Sequence, residues 1–170
     1  MKQILFIILI FGGCKGSNVE PSPPTDNERF YCEIDGERYR PNSNGDIFNE
    51  VLIADWYKLK GTFTVSAYNS KTYKDVLFFI NLKGQKLEVK KHYIDSLYAK
   101  ASYSGGYIKV NGNSIREDYS SIKGIGFIEI TKVDTLTKKV SGKFEFDAKS
   151  EIDKTKIAKI RNGQFNNLTY

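Results

Sequence analysis

The chain has 170 residues, a formal net charge of +6 and an apolar fraction of 40%. That length suits one domain and is too short for a two-domain enzyme with a separate cofactor-binding half. With 18 Ile, 11 Phe and 11 Tyr against 6 Ala and 1 Met, the composition favours pleated strands and excludes both a helical bundle and a disordered chain.

The N-terminus reads MKQILFIILIFGGCKGSN, with Lys2 ahead of an unbroken apolar run from Ile4 to Phe11 and the small pair Gly12-Gly13 just before Cys14. As a helix that run rises ~12 Å, far short of the ~30 Å hydrocarbon core. It therefore reads as a secretory signal with cleavage after small residues. The stretch Phe11-Gly12-Gly13-Cys14 resembles the lipobox of bacterial lipoproteins, with Phe11 where Leu is usual. The resemblance implies that Cys14 becomes the first mature residue and carries the lipid. One acyl chain binds membranes only marginally, whereas two or three on one cysteine hold the protein there. Residues 15–28 include Pro21, Pro23 and Pro24 and almost nothing apolar, the composition of an extended tether. The expected organisation is a signal peptide over 1–13, a lipidated cysteine and tether over 14–28, and one β-rich domain over 29–170.

Along the domain, FYCEID sets Phe30, Cys32 and Ile34 on one face at strand period, with Cys32 expected to be a buried, inert thiol. Asp35-Gly36 follows as a hairpin turn. Asn42-Ser43-Asn44-Gly45-Asp46 is only a faint calcium loop, since it lacks the sixth-position glycine and twelfth-position glutamate. VLIADWYKL places Trp56 and Tyr57 on opposite faces of a strand. GTFTVSAY alternates Phe63, Val65 and Ala67 with polar residues, and DVLFFINL is continuously apolar, as expected of a central strand. HYIDSLYAKA spaces Ile94, Leu97 and Tyr98 as a short helix would, though its tyrosines serve a strand equally well, while Ser104-Gly105-Gly106, Lys83-Gly84 and Asn111-Gly112 read as turns. KGIGFIEITKV is a long strand in which Gly124 and Gly126 suggest a bulge or a close backbone approach. GKFEFDAK alternates Phe144, Phe146 and Ala148 with charged residues, and Asn162-Gly163 reads as a last turn. Nine or ten strands at this spacing predict an all-β, antiparallel β-sandwich, with a lipocalin-like closed barrel as the alternative.

Three segments, FYCEIDGERYRPN, VSGKFEFDAKS and KIAKIRNGQFNNL, resemble a domain-of-unknown-function family found among small lipoproteins of Bacteroidota-type bacteria, with Tyr39 where Trp is usual. The resemblance implies a β-rich extracytoplasmic lipoprotein and brings no activity or catalytic residue.

The chemistry-bearing residues are sparse. His92 is the only histidine and is expected to lie in solvent beside Lys90 and Lys91. There is no nucleophile elbow and no phosphate-binding loop. No catalytic residue, metal or cofactor is expected, and the chain is not expected to be an enzyme. Lysines clustered at Lys86, Lys90 and Lys91 and again from Lys149 to Arg161 would suit an anionic partner such as an acidic polysaccharide or phospholipid headgroups, but are expected rather to line solvent faces and blunt strand edges. Trp56, Tyr57, Tyr103 and Tyr107 are the binding candidates, because exposed aromatic rings stack on sugars. The expected role is a membrane-anchored envelope lipoprotein acting as a non-catalytic interaction module; the alternative is a glycan- or small-ligand-binding accessory lipoprotein. Its expected partners are the membrane, through the lipid anchor, and an envelope protein or glycan, with no nucleic acid. The expected location is the bacterial outer membrane, facing the periplasm or the cell surface. Lys15-Gly16-Ser17-Asn18, lacking an acidic run, favours the inner face.

Overall fold

The computed structural model describes residues 28–43, 51–57, 59–82, 86–94, 99–110 and 113–170. It contains β1 (Phe30–Ile34), β2 (Glu37–Tyr39), β3 (Leu52–Tyr57), β4 (Thr62–Asn69), β5 (Lys74–Asn81), β6 (Lys90–Tyr93), β7 (Ala99–Val110), β8 (Asn113–Asp134), β9 (Lys139–Ser150) and β10 (Ile157–Thr169). All pairings between them are antiparallel, in the order β2-β1-β10-β9-β8-β7-β5-β4-β3, with β6 lying against β8. The result is a curled, half-barrel sheet. No helix among the described residues is long and apolar enough to cross a membrane.

The period-two pattern decides which side of the sheet faces inward. Phe63, Val65 and Ala67 of β4, Val76, Phe78 and Ile80 of β5, Phe144, Phe146 and Ala148 of β9, and Ala158, Ile160, Phe165 and Leu168 of β10 are all buried on the concave side. Phe78 stands between two strands of the opposite wall, its ring 5.0 Å from Phe144 and 5.5 Å from Phe165. Such pairs add ~0.5–1.5 kcal/mol each beyond area burial. DVLFFINL is central as expected, β5 lying between β4 and β7, yet its apolar run divides: Leu77 and Phe79 are only half-buried on the convex side. Cys32 is fully buried, and burial raises its thiol pKa well above the ordinary range.

Three cross-strand pairs fit glycine against phenylalanine: Gly126 with Phe146, Gly163 with Phe144 and Gly142 with Phe165. A Cβ on Gly163 would lie 2.6 Å from the Phe144 ring, and one on Gly142 would meet the Phe165 ring and the Glu129 carbonyl. Gly126 has φ +115° and sits where β8 bulges between Ser121 and Gly126, as the glycine pattern of KGIGFIEITKV predicts.

The β2 end of the sheet touches β4 and β5. The Tyr39 hydroxyl, at the end of β2, donates to the Ala67 carbonyl (2.6 Å) with the Lys74 carbonyl 3.1 Å away. Asn42 bridges to Asn69 in parallel, and its amide donates to the Tyr68 carbonyl at 3.0 Å. Tyr170 stands edge-on to Phe63, 6.3 Å between centroids.

Several local expectations are corrected. Asp35-Gly36 is the predicted tight turn, with φ 54° and 84°. Asn162-Gly163 is not a turn but a bulge inside β10, where the register shifts between Ile160 and Gly163. Gly105-Gly106 likewise lies within β7, at a register shift between Gly105 and Ile108. His92 and Tyr93 belong to β6 and Ala99–Ala101 to β7, so the helix expected around them is absent from the described residues. Residues 95–98, Lys83-Gly84, Asn111-Gly112 and Asn44–Asp46 lie outside the described residues.

Candidate functional site

Strand register builds a row of polar side chains on the convex face. Tyr68 of β4 pairs with Asp75 of β5, Asp75 with Ser104 of β7, and Ser104 with Asp118 of β8. These positions share a face because each lies one residue from a buried one: Ala67, Val76, Tyr103. Alternation in three strands thus places carboxylate, hydroxyl and carboxylate side by side, with neighbouring strands ~4.8 Å apart.

Tyr68, Tyr73, Asp75, Ser104 and Arg116 line a half-open cavity of about 260 Å³. Ser104 is 9% exposed and tightly held. Its hydroxyl donates to Asp118 Oδ1 at 2.6 Å and accepts from Arg116 Nη2 at 2.8 Å. Arg116 Nε also donates to Asp118 Oδ1 at 2.8 Å. The Ser104 hydroxyl thus links the Asp118 carboxylate to the Arg116 guanidinium. Hydrogen bonding from Ser104 and the charge of Arg116 hold the Asp118 carboxyl below its ordinary pKa. Asp75 moves the other way. Burial is the largest cause of its raised pKa; the Ser66 hydrogen bond at 3.3 Å and Arg116 oppose it, and Asp118 adds to it. A partly desolvated carboxylate in a cleft, beside phenols and a fixed guanidinium, accepts hydroxyl hydrogen bonds strongly.

The residues picked from sequence do not assemble here. Trp56 is paired with Phe63 and packs against the core, whereas Tyr57 is 49% exposed with its hydroxyl donating to Asp55 at 3.3 Å. The expected division of the pair between two faces is therefore seen, but the tryptophan takes the inner one. Tyr103 was expected at an exposed turn; it is 6% exposed on the concave side, its ring 5.3 Å from Tyr119. With Gly105-Gly106 inside the strand, Tyr103 falls on the inward phase of β7. Cys14 and the side chain of Tyr107 lie outside the described residues.

His92 is also corrected. It is 8% exposed on β6, opposite Ile128, with no hydrogen-bond partner for Nε2 among the described residues, whereas Lys90 and Lys91 are exposed as expected. Burial, then Lys90, lowers its pKa, and Glu88 opposes them. Among the described residues no group of His, Cys, Asp and Glu side chains is arranged to hold a metal ion.

Asp75, Ser104, Arg116 and Asp118 escaped the sequence reading because the register of β5, β7 and β8 brings them together. The one available signal was Asp75 itself, a carboxylate directly before the apolar VLFFI. No protein-family model, curated protein or solved structure matches the chain.

Proposed function

We propose that the protein is a non-catalytic glycan-binding module held at the bacterial envelope by lipid on Cys14. The observation that carries the binding half is the cavity in which Tyr68, Tyr73, Asp75 and Arg116 converge. At about 260 Å³ it is small for a drug-sized ligand and suits one sugar ring. Tyrosine rings supply stacking faces with wet hydroxyls, and Asp75 accepts from vicinal hydroxyls while Arg116, fixed by Ser104 and Asp118, donates. The anchoring half is supported by the ordered leader and lipobox-like stretch ahead of Cys14. The architecture is read as a barrel left open along one side, rather than a two-layer sandwich, on the strength of the links from Tyr39 and Asn42, at the β2 end of the sheet, to β4 and β5.

The test is a glycan array probed with the full chain in detergent, repeated with Asp75→Ala and Tyr73→Ala. Binding to a defined sugar that falls at least about tenfold in both variants supports the reading, since each removes a directed contact. A wild-type protein that binds nothing on the array, or binding indifferent to both changes, overturns it. Anchoring is checked separately by expressing Cys14→Ser in a bacterial host: the variant is expected in the soluble fraction, and retention on carbonate-washed membranes would sink the lipid assignment.

A further inference from the structure

A second opening lies on the same convex face, one step along β7. Between Ser120 and Phe127, strand β8 exchanges neighbours, pairing with β7 up to Ser102↔Ser120 and with β6 from Tyr93↔Phe127. The register of β8 against β9 also shifts in this stretch, between Ser121 and Gly126. Among the described residues, main-chain and serine bonds cross this stretch. The Ile94 amide donates to the Gly126 carbonyl (3.1 Å), the Gly124 amide to the Ile94 carbonyl (2.7 Å), and the Ala101 amide to Ser121 Oγ (3.2 Å). The space left is about 330 Å³.

Its lining separates into a floor and a rim. Phe79, Ile94 and Ala101 are apolar, while Ser102 supplies a hydroxyl and Lys100 and Lys123 supply charge; the Ser120 hydroxyl at the edge is engaged with the Glu151 carboxylate. Lys100 Nζ lies 5.9 Å from the centre of the Phe79 ring. Neither lysine is in a salt bridge with an acidic group among the described residues, in contrast to Lys154 and Lys156, which pair with Glu151 and Glu117. Two cations and the Ser102 hydroxyl over an apolar floor match an oxyanion carried on a ring. The distance to the first cavity is short. Ser102 and Ser104 occupy successive convex positions on β7, ~7 Å apart, with half-buried Leu77 alongside Ser102.

We infer that this second pocket is an oxyanion subsite, so that the ligand of the convex face is an acidic oligosaccharide with a sugar ring at Tyr73 and Asp75 and an anionic residue at Lys100 and Lys123. The inference rests on the glycan-binding reading of the first cavity and adds the charge of the neighbouring residue. The carboxylate of a uronic acid and the sulfate ester of a neutral sugar present the same chemistry to these lysines.

The experiment is titration calorimetry of the full chain in detergent against matched oligosaccharides: a hexuronate oligomer, its methyl ester, and a sulfated and an unsubstituted neutral oligomer. The wild type is expected to favour an anionic member over its uncharged match by about tenfold or more, as charge-assisted contacts do. The anionic member that wins identifies the source of the oxyanion. Replacing Lys100 and Lys123 together by Gln is expected to abolish that preference and leave binding of the uncharged oligomers unchanged, with an unaltered melting temperature as the folding control. Uncharged oligomers binding as well as charged ones, with Asp75→Ala still weakening both, would overturn the oxyanion subsite and leave the first cavity standing. Anion preference that survives the double change also overturns it. Loss limited to the anionic oligomers in K100Q/K123Q and to all oligomers in Asp75→Ala supports both assignments. No binding by any oligomer overturns both.

Discussion

Asp75 shows how a single residue can serve the site at a cost to the fold. Burial raises its pKa, so the folded state binds a proton more tightly than the unfolded chain does. Its contribution to stability is then full below the unfolded value of 3.8 and is lost as pH rises through the folded value. At neutral pH the ionised carboxylate is a liability. Asp75→Asn keeps the oxygen that accepts from Ser66, so it is expected to raise the urea midpoint at pH 7 while weakening sugar binding; a lowered midpoint contradicts this account of the site. Glycine supplies the complementary case. Gly163→Ala drives a methyl into the Phe144 ring at 2.6 Å, and such overpacking destabilises by ~1–3 kcal/mol. Phe144 is already wedged against Phe30 and Phe78, so the ring has little room to yield. Chemical denaturation reads the loss directly, and Gly36→Ala is no control, since Gly36 has φ +84°. In the sequence these residues are unequally visible. The inward phenylalanines follow from alternation alone, but the glycine opposite each, like the partners of Asp75, depends on pairing register.

At the scale of elements, the strands were legible and their interruptions only in part: the glycines of KGIGFIEITKV mark the β8 bulge, whereas Asn162-Gly163 did not tell a bulge from a turn. Asn162 has φ 51° inside β10. The left-handed backbone that Asn-Gly provides for a hairpin turn serves a bulge equally well, so the dipeptide alone cannot separate the two. Around His92 the described residues take the strand alternative: β6 is short, and its burial comes from lying against β8. That position makes β6 sensitive to pH. Burial and Lys90 lower the His92 pKa, with Glu88 opposing, so the unfolded chain binds the proton more tightly. Stability is therefore full above about the unfolded value of 6.5 and falls as pH drops through and below it. Carboxylates held low, such as Asp118 and Glu117, lose their contributions in a more acid range, below their ordinary values of 3.8 and 4.5. Melting temperatures between pH 7.5 and 5.5 are expected to fall in the wild type and to flatten in His92→Leu. The variant also removes a buried nitrogen with no partner among the described residues, which favours it by ~1 kcal/mol or more. An unchanged slope would place the acid sensitivity elsewhere.

For the molecule as a whole, the decisive contacts join the ends of the chain. β1 pairs with β10, so Phe30 lies opposite Phe165, and Tyr39 at the end of β2 reaches the carbonyls of Ala67 and Lys74 on β4 and β5. An order in which the first strands dock on the last is built from distant pairings, and such sheets fold slowly, in milliseconds to seconds. The hairpins from β3 to β5 and from β7 to β10 close short loops; the junction made by Tyr39 needs both walls in place. Interactions formed after the transition state change unfolding rather than folding rates. Tyr39→Phe keeps the buried ring and removes only the hydroxyl, leaving the Ala67 carbonyl without that donor, at a cost of ~1–2 kcal/mol. In stopped-flow measurements on the chain carrying Cys14→Ser, the variant is expected to unfold about tenfold faster and to refold at the wild-type rate. Slowed refolding with unchanged unfolding would mean that the sheet closes early, with Tyr39 drawing its two walls together before the remaining strands add.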